Sequence, residues 1–286
     1  MSMNIHPDWL QVEQELGSRP VLAGRYEDIR AGSDQLMAVL NPLYALPSPE
    51  PKVFGETLPS GIVVRIFHPG VPSQNSLPVG IFFHSGGWTS GNVEGEKATC
   101  YHLAHYVPAI IVAVSYRLAP EYKAPTAHRD AVEAFLWTVT NSRRLGGDPK
   151  KLFCIGGSAG GNLALSVVLR AIELKMSVAG VAAMVPVTVH PDAVPPQHKS
   201  LYTSYAESTN TPIINTSSMN TFYETYDPMP TDPLVSVLLN PDLSKMPRAY
   251  IVGCTADPLR DDARLLVHEL ERMGSVASTL YLPSAN

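Results

Sequence analysis

The sequence predicts an α/β fold, a mostly parallel sheet with helices on both faces, and three observations carry that prediction. From residue 79 onward, apolar runs of strand length alternate with longer stretches of helical spacing, as successive β-α-β units do. Two shorter runs, over 53–58 and 62–68, come before that alternation with no helix between them, as hairpin strands do. Third, Gly156-Gly157-Ser158-Ala159-Gly160 joins an apolar run over 152–155 directly to an alanine- and leucine-rich helical stretch. A G-x-S-x-G pattern in that setting places a serine at the tip of a turn too tight for side chains on its flanks.

Taken in order, residues 1–50 carry two patches of helical spacing, Trp9-Leu10-Val12-Leu16 and Leu36-Met37-Val39-Leu40, which read as a cap region ahead of the core over 51–286. After the hairpin, a continuously apolar central strand is expected over 79–83, then a helix over 97–106, a strand over 109–114 and a helix over 127–140. The strand before Ser158, a helix over 162–173 and a strand over 178–187 continue the alternation. Between about 190 and 232 the pattern breaks into prolines, serines, threonines and aromatics, the composition of a lid-like insertion. A strand over 249–254, a helix over 262–273 and a last strand over 277–282 restore it.

The totals narrow the function classes. A chain of 286 residues with a net charge of −5 and no basic run longer than two residues offers nothing to nucleic acid or an anionic membrane surface. No apolar stretch reaches the length of a membrane span, and residues 1–16 lack the apolar core of a secretion signal, so a cytoplasmic protein is expected. The three cysteines, Cys100, Cys154 and Cys254, suit buried thiols in a reducing compartment better than a disulfide framework.

A serine at such a turn needs donors for an oxyanion, a base, and an acid to orient the base. His84-Ser85-Gly86-Gly87-Trp88 directly follows the central strand and is similar to the H-G-G-G loop of lipases and esterases, with Ser85 at the first glycine. Asp257 is the first carboxylate past the strand over 249–254, where side chains of an open α/β sheet enter a site, and Asp261 or Asp262 is expected to cap the helix that follows. With Ser115-Tyr116-Arg117-Leu118-Ala119-Pro120-Glu121 and Asp232-Pro233-Leu234, these stretches resemble, in order and spacing, the hormone-sensitive-lipase-like esterases of the α/β-hydrolase fold. The resemblance implies an eight-stranded mostly parallel sheet and hydrolysis of a small-molecule carboxylic ester or lactone through an acyl-enzyme on Ser158, with Asp257 as acid. It implies oxyanion donors at Gly86, Gly87 and Ala159, and no cofactor or metal. Trp88, beside the donors, and the aromatics of the insertion are expected to line an apolar substrate pocket.

The sequence departs from the family in three places. Gly157 stands where an acid or threonine is usual, and Ser85 stands where glycine is nearly invariant. The base should be a histidine after the last strand. Alignment on Tyr281 puts Asn286 at its position, and alignment on Pro283 puts it one residue further on. His268 lies mid-helix and is expected on the surface, as are His102 and His105. The expectation is therefore a serine esterase whose sequence here is a truncated or misspliced version of a complete enzyme, impaired by the lack of its histidine. The alternatives are a small-molecule binder without catalysis and a lyase or cyclase that reuses the pocket. The last strand lies at a sheet edge where a second copy can pair to give a homodimer.

Overall fold

The computed structural model describes residues 5–70, 76–275 and 277–282. Residue 286, where alignment on Tyr281 puts the family's histidine, lies outside them. Eight strands form one sheet in the order β1-β2-β4-β3-β5-β6-β7-β8. They are β1 (Lys52–Thr57), β2 (Val63–His68), β3 (Leu77–Phe83), β4 (Ile110–Ser115), β5 (Gly147–Gly157), β6 (Gly180–Met184), β7 (Arg248–Cys254) and β8 (Ala277–Leu282). Strand β2 runs antiparallel to β1 and β4, and every later pairing is parallel. The mostly parallel eight-stranded α/β-hydrolase sheet is thus as the sequence predicts.

The helices are α1 (Pro7–Leu16), α2 (Tyr26–Leu40), α3 (Lys97–Tyr106), α4 (Thr126–Asn141), α5 (Ala159–Glu173), α6 (Ser204–Glu207), α7 (Thr216–Tyr226) and α8 (Arg260–Arg272). Alternate residues of the central strands feed two cores. Val79, Ile81 and Phe83 of β3 with Ile110, Val112 and Val114 of β4 pack into one, with α4 and α5. Phe82, Ile111 and Ala113 pack into the other, with Cys100 and Ala104 of α3. Period-2 alternation inside runs that are apolar throughout is what burial on both faces requires.

The insertion differs most from the sequence reading. It is folded, with three short helical turns or helices followed by the eleven residues of α7. Its residues TSSMNTFYETY are poor helix formers, and the helix stands on two other supports. The Asn215 side-chain oxygen accepts a hydrogen bond from the Ser218 amide at 3.0 Å, and the Asn215 amide donates one to the Ser218 hydroxyl oxygen at 3.2 Å. Met219, Phe222, Tyr223 and Tyr226, at helical spacing, are all buried.

Asp261 and Asp262 do not cap α8, which starts at Arg260. They reach back to the insertion and the segment before it. Asp261 Oδ2 accepts hydrogen bonds from the Thr203 and Ser204 amides at 2.8 and 2.7 Å, and ion pairs with Arg260 hold its carboxyl down to about 2 against the effect of burial. Asp262 accepts from the Thr188 and Val189 amides and from the Tyr202 hydroxyl, and burial pushes its carboxyl up to about 7.

Candidate active site

Strand β5 ends at Gly157 and α5 begins at Ala159, so Ser158 alone makes the turn, with φ 52° and ψ −120°. An L-residue in that region is strained, and the surroundings must hold it there. The Ser158 amide donates to Met184 O on the neighbouring strand at 2.8 Å, and the Asn162 amide donates to Ser158 O at 3.0 Å. The flanking glycines are sterically required. A Cβ on Gly156 would lie 2.3 Å from Gly160 O, and one on Gly160 would lie 2.1 Å from Phe83 O. Ala159 opens α5, so its N–H has no acceptor within the helix.

The loop after β3 is built from three successive left-handed residues, Gly86 (φ 118°), Gly87 (φ 58°) and Trp88 (φ 57°). A Cβ on Gly86 would meet Ser90 O at 2.1 Å, and one on Gly87 would enter the Phe222 ring. Ser85 does not carry a positive φ, which is how a serine is tolerated at the position where the family has glycine. His84 is buried under the loop, stacked on Tyr116 with ring centroids 4.2 Å apart. Its Nδ1 lies 2.7 Å from Ser85 O, and desolvation lowers its imidazole to about 4, so the ring is neutral at ordinary pH.

Ser158, Gly86 and Gly87 line one cavity of about 160 Å³, comparable with the ~150 Å³ cavity that takes up benzene in another protein. Its apolar wall comes from Leu22, Leu36 and Met37 on the N-terminal side and Ile213, Ile214 and Phe222 from the insertion. Asp34 and Glu96 are its acidic members, and among the described residues no lysine, arginine or histidine lines it. Asp257 opens instead into an adjoining cavity of about 320 Å³ with Cys254, Ala256, His6 and Trp9. Ile213 and Ile214 line both cavities and form the wall between them. One Asp257 oxygen accepts from the Leu259 amide at 2.7 Å, and burial raises its carboxyl to about 6.

Two expectations about the pocket are corrected. Trp88 is 0 % exposed and does not line the Ser158 cavity; its left-handed backbone turns the ring inward to stack on Tyr226, centroids 4.8 Å apart. Of the insertion's aromatics only Phe222 reaches the cavity, while Tyr223 and Tyr226 pack in the core and Tyr202 bonds Asp262. The residues the sequence reading missed are Leu22, Leu36 and Met37 of the N-terminal side and Glu96. The helical spacing around Leu36 and Met37 marked an apolar face, with nothing to say what it covers. His102 and His105 donate to or accept from nothing catalytic: their ring nitrogens lie 2.9 Å from Ala45 O and 3.2 Å from Pro49 O. His268 is 59 % exposed on α8. Among the described residues no group of His, Cys, Asp or Glu side chains is placed to hold a metal ion, and no helix is long and apolar enough to cross a membrane.

A family model described as alpha/beta hydrolase fold matches residues 80–285, and the chain belongs to that family, in its hormone-sensitive-lipase-like branch of carboxylesterase-type serine hydrolases. Among its relatives is the versiconal hemiacetal acetate esterase of Aspergillus parasiticus, 38% identical over 267 residues, 92% of this chain and 83% of the relative. Two solved structures share the architecture. Vibralactone cyclase superposes with a TM-score of 0.89 at 27% identity, covering 99% of this chain and 87% of that one. An esterase of the archaeon Pyrobaculum calidifontis superposes with a TM-score of 0.83 at 28% identity, covering 99% and 90%.

Proposed function

We propose that the chain hydrolyses a small neutral carboxylic ester, with Ser158 as nucleophile, Asp257 as the acid of the triad, and the amides of Gly86, Gly87 and Ala159 as oxyanion donors. The observation that carries this reading is the strained Ser158 opening into the same cavity as the two left-handed glycines. The Ser158 hydroxyl adds to the ester carbonyl as its proton passes to a base, solvent water where no imidazole is in reach, and the oxyanion's charge falls on the amides. The alcohol leaves protonated as the acyl-enzyme forms, and water then cleaves the acyl-enzyme to release the acid and restore the hydroxyl. An apolar wall with two carboxylates and, among the described residues, no cation supports an uncharged acyl or aryl group over an anionic one. The acetate ester named for the Aspergillus parasiticus relative is of that kind.

No imidazole lines the Ser158 cavity among the described residues, so the chain of 286 residues is expected to turn esters over slowly. Oxyanion stabilisation and binding alone leave roughly 10³- to 10⁴-fold over water. Asn286→His places an imidazole at the position given by alignment on Tyr281, and with an aryl acetate we expect it to raise kcat by about 10²-fold or more. A second reading, a cyclase that uses the same donors to close a lactone, draws on the likeness to vibralactone cyclase. Incubation with a neutral aryl acetate separates the two: acid and phenol in equal amounts, lost in Ser158→Ala, support hydrolysis. An unreacted ester in both the unsubstituted 286-residue chain and Asn286→His counts against hydrolysis.

A further inference from the structure

The departures at Ser85 and Gly157 meet in space, and a third residue joins them. Gly157 precedes the nucleophile and has no positive φ, so an ordinary side chain is compatible with its backbone. A Cβ built there would lie 2.7 Å from Ser85 Oγ, and the next heavy atom, Met184 O, is 3.9 Å away. The serine hydroxyl therefore fills the room that a side chain at 157 would take. On its other side the Ser85 amide donates to Glu96 Oε1 at 2.7 Å. Glu96 is the N-cap residue of α3 and lines the Ser158 cavity together with Ser85, Gly86 and Gly87. Burial raises its carboxyl, and the amide and hydroxyl of Ser85 oppose that rise.

Past Phe83, where regular strand pairing ends, the loop closes on itself, with the Thr89 and Ser90 amides donating to Gly86 O at 3.0 and 2.8 Å, and the Ala119 amide donates to Trp88 O at 2.9 Å. At its start are two tethers: Tyr116 donates to His84 O at 2.7 Å, and Glu96 accepts from the Ser85 amide one residue later. Of these, Glu96 binds the residue that immediately precedes the two glycines. A hydrogen bond there, in a partly desolvated pocket, is electrostatically stronger than the same bond in water.

We propose that Glu96 is a positioning residue for the reaction, holding the amides of Gly86 and Gly87 toward Ser158 through the Ser85 amide, and that Ser85 and Gly157 form a matched steric pair. The effect on turnover rests on the esterase reading; the tether and the pairing do not.

The test therefore has arms that need no turnover. Gly157→Ala lowers the thermal midpoint by on the order of 2–4 °C or more, and Ser85→Gly in the same chain restores it, a coupling read by a double-mutant cycle. Hydrogen exchange at the Ser85 amide speeds up about 10-fold or more in Glu96→Ala, while Glu96→Gln, which keeps an accepting oxygen, retains most of the protection. For an aryl acetate, Glu96→Ala lowers kcat about 10-fold with KM changed much less, and Glu96→Gln recovers most of it. A Gly157→Ala chain whose midpoint ignores residue 85 overturns the pairing. Unchanged exchange at Ser85, or kcat unchanged in Glu96→Ala, overturns the positioning role. Absence of turnover in the native sequence and in Asn286→His counts against the esterase reading, and the cycle and exchange arms still decide this one.

Discussion

Ser158 and Asp257 stand just past the carboxyl ends of β5 and β7, with β6 between them, and the two ends are held by opposite means. At Ser158 the control is steric: two glycines without which backbone atoms collide, a left-handed φ, and hydrogen bonds to the strand on one side and the helix on the other. At Asp257 it is electrostatic. A single amide bond from Leu259 and burial leave the carboxyl near 6, so its charge depends on conditions in a way that the geometry of Ser158 does not. One half of the candidate site is set by shape, the other by solvation.

The largest effects belong to the steric half. With Asn286→His as the reference chain, Ser158→Ala is expected to lower ester turnover by at least about 10³-fold with the thermal midpoint little changed. Gly160→Ala, by contrast, drives a methyl into Phe83 O and is expected to cost about 3 kcal/mol of stability in denaturant titration as well as activity. Asp257→Asn separates charge from shape. Turnover above pH 6 should fall roughly 10²- to 10⁴-fold, measured in Asn286→His as the reference chain.

The same substitution has the opposite sign for stability. Because the folded Asp257 carboxyl sits above its ordinary range, the folded state keeps a proton that the unfolded chain gives up between about pH 4 and pH 6. Stability from this group is therefore lost as pH rises through that window. Asp257→Asn should raise stability at pH 8 by about 2 kcal/mol and leave it unchanged near pH 4, as read by melting curves at the two pH values.

Smaller effects test the surroundings. Trp88→Ala should cost about 3 kcal/mol by opening a cavity under the Gly86-Gly87 loop, against Tyr226, with KM for small esters nearly constant. A pocket residue would show the reverse pattern. Met37→Ala widens the Ser158 cavity on the α2 side, and the expected change is about a two- to fivefold shift in kcat/KM from acetate toward longer neutral acyl chains.

What was legible in the sequence follows the same division. The alternation of strands and helices in the core, the turn at Ser158 and the glycine loop at Gly86-Gly87 are written as local patterns, because apolar periodicity and missing side chains are the physical causes of those features. Helix α7 was missed because its propensity is poor and its stability comes from packing, although the Asn215–Ser218 cap and the spacing of Met219, Phe222, Tyr223 and Tyr226 were there to be read. Trp88 was misplaced because proximity along the chain says nothing about the side to which a left-handed residue turns its ring. Asp261 and Asp262 looked like caps and serve instead as long-range acceptors for residues 188–204, a pairing that no local pattern encodes. The Glu96–Ser85 bond spans eleven residues and became visible only with the loop in place.

The central claim is that the steric half makes Ser158 the nucleophile. It is tested most directly by treating the native sequence and Asn286→His with a fluorophosphonate and locating the adduct by peptide mass spectrometry. The account predicts a single adduct on Ser158, slow in the native sequence, about 10²-fold faster in Asn286→His, and absent in Ser158→Ala. No adduct on Ser158 in either chain, or labelling that persists in Ser158→Ala, would contradict it.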